Sequence, residues 1–158
     1  MEALYSDHKI EDAVIQAVLR QLFPDLQIFK WDFLSEEPAG FDRTNQYHIV
    51  FHTSTDEEKT EFQFLVEIYR TPESHSQARA IAIAQLLAKQ VKDRIYIPYT
   101  LPEAPHDPSY GLVFHEGEIF LADDSNTNFA DGTDGQVKML KSVEVPDVEF
   151  DRRGNLIS

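Results

Sequence analysis

EFQFLVEIYRTPESHSQARAIAIAQLLAKQV, residues Glu61 to Val91, is the stretch whose reading decides the fold. Phe62, Phe64, Val66 and Ile68 alternate with Gln63, Leu65, Glu67 and Tyr69. That period of two sends successive side chains to opposite faces of a sheet. One face is aromatic and β-branched and suits a buried, pleated surface. The other mixes Leu65 and Tyr69 with Gln63 and Glu67, so it is expected to be covered in part. Beyond the strand, Ala78 to Ala88 is apolar around most of a helical circumference. A helix over Gln77–Val91, buried on several sides, follows. Arg79, Gln85 and Lys89 interrupt it, and it is too short to span a bilayer. Two starts are open: Thr71 capping a helix that begins at Pro72, or Ser74 with Gln77 as a capping box.

Working outward, Ser6 or Asp7 is placed to cap a first helix reaching about Phe23, with Ile10, Ala13, Val14, Ala17, Val18 and Leu22 along one face and Pro24 ending it. Leu26 to Leu34 alternates as a strand with an irregularity near Lys30. Residues 35–45 hold Pro38 and Gly40 and read as a loop. Gln46 to Thr53 reads as a strand, with Tyr47, Ile49 and Phe51 opposed to His48, Val50 and His52, and it forms a hairpin with Phe62–Tyr69. After the central helix come a short strand at Arg94–Ile97, a loop punctuated by Pro98, Pro102, Pro105 and Pro108, and a tight hairpin across Glu116-Gly117. Gln136 to Val145 reads as a last strand. The expected class is α+β, a mostly antiparallel sheet with two main helices in the order α-β-β-β-α-β-β-β. Residues 1–146 form one domain and 147–158 a C-terminal tail.

The chain has 158 residues, 42% of them hydrophobic and 11 of them Phe, enough for a real core. It has no cysteine, which removes disulfides and Cys-ligated zinc and fits a reducing compartment. No charged-then-apolar leader and no long apolar run are seen, so a cytoplasmic location and no membrane association are expected. The net charge is −14, with 7 basic and 15 acidic residues in 1–79 and 7 and 13 in 80–158. Such a surface repels a phosphate backbone, so nucleic acid is not an expected ligand. The acidity serves solubility and also suits a basic protein partner.

The order helix-strand-strand-strand-helix-strand is similar to the core of restriction-endonuclease-like nucleases, and in order and acidity to the small chaperones of type III secretion. The nuclease resemblance implies an acid on the second core strand and Glu-x-Lys on the third. Here Glu67-Ile68-Tyr69 puts tyrosine at the lysine position, and Gln46–Thr53 carries no Asp or Glu. The metal set is incomplete. Asp123 and Asp124, with Ser125, Asn126, Thr127, Asn128, Asp131 and Asp134 downstream, supply hard oxygen ligands that suit a divalent cation. The spacing is not that of an EF-hand, and Asx residues also form ordinary turns. A hydrolase using Asp123, Asp124 and Glu67 around a metal is one reading. The alternative for Glu67 is a structural carboxylate paired with a base such as Arg79.

Among the histidines, His48 and His52 share a strand face two pleats apart, too far to chelate without bending. His106-Asp107 and His115-Glu116 are isolated pairs in loops. Trp31, Tyr47, Tyr69, Tyr96, Tyr99 and Tyr110 are of the type that lines a pocket or packs in a core with a polar tip. The proline-punctuated loop makes Tyr99, His106 and Tyr110 a candidate binding loop. The expected function is a non-catalytic protein-binding module of chaperone-, adaptor- or immunity-like kind. A homodimer through an exposed sheet edge or helix is compatible with the pattern.

Overall fold

A computed structural model describes residues 1–59, 61–125, 127 and 136–157. The elements run β1 (Glu2–Ser6), α1 (Asp12–Leu22), β2 (Gln27–Lys30), β3 (His48–Thr55), β4 (Phe64–Arg70), α2 (Ser76–Gln90), β5 (Ile95–Pro98), β6 (Tyr110–His115), β7 (Glu118–Asp123) and β8 (Lys138–Ser142). One eight-stranded sheet has the order β2-β3-β4-β1-β5-β6-β7-β8. The fold is α+β with two helices and a mostly antiparallel sheet. The order α-β-β-β-α-β-β-β is present, with β1 added before it and β8 after it.

The strand–helix pair at residues 64–90 sits at the centre as its periodicity requires. Phe64, Val66 and Ile68 of β4 point inward against the helices, joined by Leu4 of β1 and by Ile95, Ile97, Leu112 and Phe114 of β5 and β6. From α2, Ala80, Ile81, Ile83, Ala84 and Leu87 are buried, and from α1, Ile15, Val18 and Leu19. Each large side chain in this layer contributes about 1.5–3 kcal/mol of transfer free energy.

Ser6 and Asp7 do not cap α1, whose N-cap is Glu11 with no side-chain cap bond. Residues 2–6 alternate buried and half-buried and are drawn between β4 and β5. Asp7 instead receives Arg94, Nε at 2.7 Å and Nη2 at 3.1 Å. Neither proposed start of α2 is used. His75, in the left-handed region, precedes Ser76 without a side-chain cap, and Thr71 Oγ1 donates to the carbonyl of Arg43 at 2.8 Å. The three strands before α2 are not a continuous antiparallel meander, because β2 runs parallel to β3 while β3 and β4 are antiparallel. Phe62 leaves the inward face of its neighbours. With φ 53° it turns the chain, and its ring joins Tyr96, Val113, Ala122 and Val137 on the outer face.

Residues 147–158, separated as a tail on sequence grounds, fold back onto the domain as far as they are described. Phe150 packs edge-on against Phe23 with centroids 5.8 Å apart, and Arg70 Nη1 donates to the carbonyl of Arg153 at 2.5 Å. No helix among the described residues is long and apolar enough to cross a membrane.

Candidate functional site

Among the described residues, the outer face of the sheet is covered at two places. At the β5–β7 side the cover is the cluster of Phe62, Tyr96, Val113, Ala122 and Val137, with Tyr5 and Phe120 packed against it. At the other side, residues 31–47 cross from β2 to β3 and fold back over the face that carries Val50, His52, Glu67 and Tyr69. The two histidines anchor this crossover. His52 Nδ1 donates to the carbonyl of Trp31 at 3.0 Å, and the Asp42 N–H donates to His48 Nδ1 at 3.0 Å. The second bond uses Nδ1 as an acceptor, and Nε2 lies 3.2 Å from the Asn45 side-chain amide. Both side chains serve the loop, as their spacing along one strand face allows.

The crossover and the sheet enclose an open cavity of about 590 Å³ lined chiefly by Trp31, Phe33, Phe41, Tyr69, Val50 and Arg43, with Glu73 on its rim. Its walls are ring-on-ring contacts. Trp31 meets Phe33 edge-on at 4.9 Å, and Phe33 meets Tyr69 at 5.5 Å and stacks on His52 at 4.3 Å. The guanidinium of Arg43 lies 5.1 Å from the Trp31 centroid. The Tyr69 hydroxyl donates to Glu67 Oε2 at 2.6 Å; burial, then that bond, pushes the phenol up to about 12. Tyr69 therefore presents a neutral ring to the cleft at any physiological pH. Phe33 in the cleft wall is 39% exposed, and Leu34 next to it in the chain is 98% exposed.

The metal triad is not assembled. Glu67 on β4 and Asp123 on β7 are four strands apart in the sheet, roughly 19 Å. Asp124 turns under the outer face and accepts the Tyr96 hydroxyl. The Tyr5 and Tyr96 rings, 5.9 Å apart, stand between it and Glu67. Asp123 accepts the Ser125 N–H at 2.8 Å, which holds its carboxyl below the usual range. Among the described residues no three His, Asp or Glu converge as metal ligands. Asn126, Asn128, Asp131 and Asp134 lie outside the described residues. Arg79 does not pair with Glu67, because α2 covers the inward face while Glu67 points outward. It pairs with Glu2, Nε to Oε1 at 2.6 Å.

Asp124 is 4% exposed, and its Oδ1 has no hydrogen-bond partner among the described residues. Burial, acting against the Tyr96 bond, raises its pKa above the ordinary 3.8. A carboxyl whose folded pKa is raised stabilises the fold below its unfolded pKa and loses that contribution as pH rises through the folded value. Asp124→Asn keeps an acceptor for Tyr96 and removes the charge. The variant is therefore expected to be more stable than the parent at pH 7, with the gain shrinking toward zero near pH 3.8. Urea midpoints of both proteins across that range check the sign.

Tyr99, His106 and Tyr110 do come together. With Gln77, Pro98 and Pro108 they line a smaller open cavity of about 380 Å³ beside α2. The Tyr99 N–H donates to the Tyr110 carbonyl at 3.0 Å, and Gln77 Oε1 accepts the Thr100 N–H at 2.9 Å, fixing the loop's root to the sheet and helix. Of the six aromatics singled out by residue type, Trp31 and Tyr69 line the larger cleft, Tyr99 and Tyr110 the smaller. Tyr96 is fully buried, and Tyr47 is half-exposed beneath Arg153. Phe33, Phe41 and Arg43 were not among the expected site residues. Their signal was three aromatics, Trp31, Phe33 and Phe41, in a polar segment holding Pro38 and Gly40, a composition with no reason to carry large rings unless they are used.

No protein-family model matches this chain, and no curated protein or solved structure matches it.

Proposed function

We propose that the chain is a non-catalytic protein-binding module whose recognition surface is the aromatic cleft and the apolar tip beside it. The observation that carries this reading is Phe33, part of the wall of an open aromatic cavity and 39% exposed, followed directly in the chain by Leu34 at 98%. Apolar surface of this kind, rimmed by charge, is what interfaces bury. Trp and Tyr are among the side chains from which interface hot spots are most often built, and Trp31 and Tyr69 lie together here. The histidine anchors pre-set the loop and so reduce the ordering cost of binding. A chaperone-, adaptor- or immunity-like role fits such a surface on an acidic domain.

The test is paired capture from a cell lysate with the immobilised parent chain and with Phe33→Ser/Leu34→Ser. Phe33 packs on Trp31, His52 and Tyr69, so Leu34→Ser alone, at a residue 98% exposed, is the companion variant that leaves the cleft wall intact, and its urea midpoint should not fall by more than a surface change produces. A protein retained by the parent and weakened at least about tenfold by the double variant is the expected result. Identical retained sets from both baits would end the proposal.

A further inference from the structure

The binding-module reading leaves open what enters the cleft, and the following inference rests on that reading. Trp31, Phe33, Phe41 and Tyr69 turn ring surface into one cavity, and the face of an aromatic ring attracts cations. One cation is already there. Arg43 lies over Trp31, and its Nε is 4.0 Å from Glu37 Oε1. Its side chain is 69% exposed, while its backbone carbonyl is held separately by the Thr71 hydroxyl at 2.8 Å. The guanidinium can therefore swing out with the loop left in place.

Around the cleft five carboxylates stand against the two guanidiniums of Arg43 and Arg70. Residues 31–47 carry Asp32, Glu36, Glu37 and Asp42 against Arg43 alone, and Glu73 stands on the cavity rim. Arg70 also borders the cavity, but its guanidinium is committed to the carbonyls of Arg153 and Gln46. Ring faces with carboxylates at the rim favour a guanidinium and oppose a carboxylate or phosphate. We propose that the cleft receives an arginine side chain from a basic segment of a partner protein, and that Arg43 is an internal occupant which this arginine displaces from Trp31.

An internal occupant competes, which gives the proposal a sign that ordinary contact residues lack. The probe is a short glycine–serine peptide with one central arginine, compared with the same peptide carrying citrulline, the neutral isostere. Binding is followed by NMR, read at the indole N–H of Trp31 and at backbone amides of residues 31–47. The arginine peptide should shift these signals and the citrulline peptide should not. Arg43→Ala should bind the arginine peptide about threefold more tightly than the parent, the size of one cation–π contact released from competition. Glu37→Gln/Glu73→Gln, which alters no ring packing, should weaken it by a similar factor.

Equal response to arginine and citrulline would overturn the proposal, and so would loss of binding in Arg43→Ala. Shifts confined to the cavity of Tyr99, His106 and Tyr110 would overturn it as well. If any of these occurs while lysate capture still depends on Phe33 and Leu34, the binding-module reading stands and the arginine assignment alone fails.

Discussion

Arg79→Ala is expected to cost about 3–5 kcal/mol of folding stability at neutral pH, as breaking one side of a buried ion pair does. Glu2 is 2% and Arg79 2% exposed, joined at 2.6 Å beneath α2. Arg79 Nη1 also donates to the Ser74 carbonyl at 2.5 Å, so this one side chain ties β1, α2 and the turn before the helix. Glu2 Oε2 and Arg79 Nη2 have no hydrogen-bond partner among the described residues. The pair is thus incompletely compensated, and removing its cation strands a buried carboxylate.

The pH dependence identifies the cause. Burial raises the Glu2 pKa above 4.5 and Arg79 opposes that rise. Without Arg79 the carboxyl is raised further. Its contribution is then fully present below about pH 4.5 and is lost as pH rises through the folded value. The deficit of Arg79→Ala relative to the parent should therefore be largest near pH 7 and shrink toward pH 4.5. A deficit equal at both ends would mean that lost packing, not stranded charge, is responsible. Glu2→Leu/Arg79→Met should recover most of the loss, because an apolar pair needs no mutual compensation.

Gly111→Ala carries the second large effect, about 3 kcal/mol. Gly111 lies on β6 opposite Pro98 and Ala122, and a Cβ there would fall onto Cε2, Cζ and the hydroxyl of Tyr96. Tyr96 is 0% exposed and cannot withdraw, since its ring packs on Tyr5 and Phe62 and its hydroxyl on Asp124. Tyr96→Leu alone opens a cavity and also destabilises. The two together should cost less than their sum, because each supplies the space the other lacks or leaves. Urea unfolding of the two single variants and the double variant measures the coupling. A Gly111→Ala protein within about 0.5 kcal/mol of the parent would show that β6 has slack at this point.

The strand Phe64–Arg70 and the helix after it were legible because local pattern and tertiary role agree. Period two met a sheet, and an apolar circumference met a layer that buries α2 against sheet and α1. The mixed second face of β4 also read correctly as partly covered, since Leu65 and Tyr69 needed neighbours that Gln63 and Glu67 did not. β1 was missed because Glu-Ala-Leu-Tyr-Ser is a weak local strand signal. Its place between β4 and β5 comes from pairing with residues 64–68 and 95–96, far along the chain. The parallel pairing of β2 with β3 went unread, although the segment 31–47 between them has the length that a parallel crossover needs and a hairpin does not.

Tyr99, His106 and Tyr110 were found because four prolines confine their loop. The larger cleft was not, because it exists only once residues 31–47 fold over Val50 and Tyr69. The two histidines that fix that fold carry no sequence signature beyond sharing a strand face. Asp123, Asp124 and Glu67 failed to converge for the converse reason: closeness in composition says nothing about strand order.

A binding cleft on this face requires that the crossover leave its aromatic wall open to water. Trp31 is the only tryptophan, so fluorescence reports that wall directly. Acrylamide should quench the native protein's emission as it does a half-exposed indole, and Arg43→Ala, by removing the guanidinium over the ring, should make quenching more efficient. A blue-shifted emission that acrylamide barely reaches, unchanged in Arg43→Ala, would mean that the cleft is closed and would contradict the account.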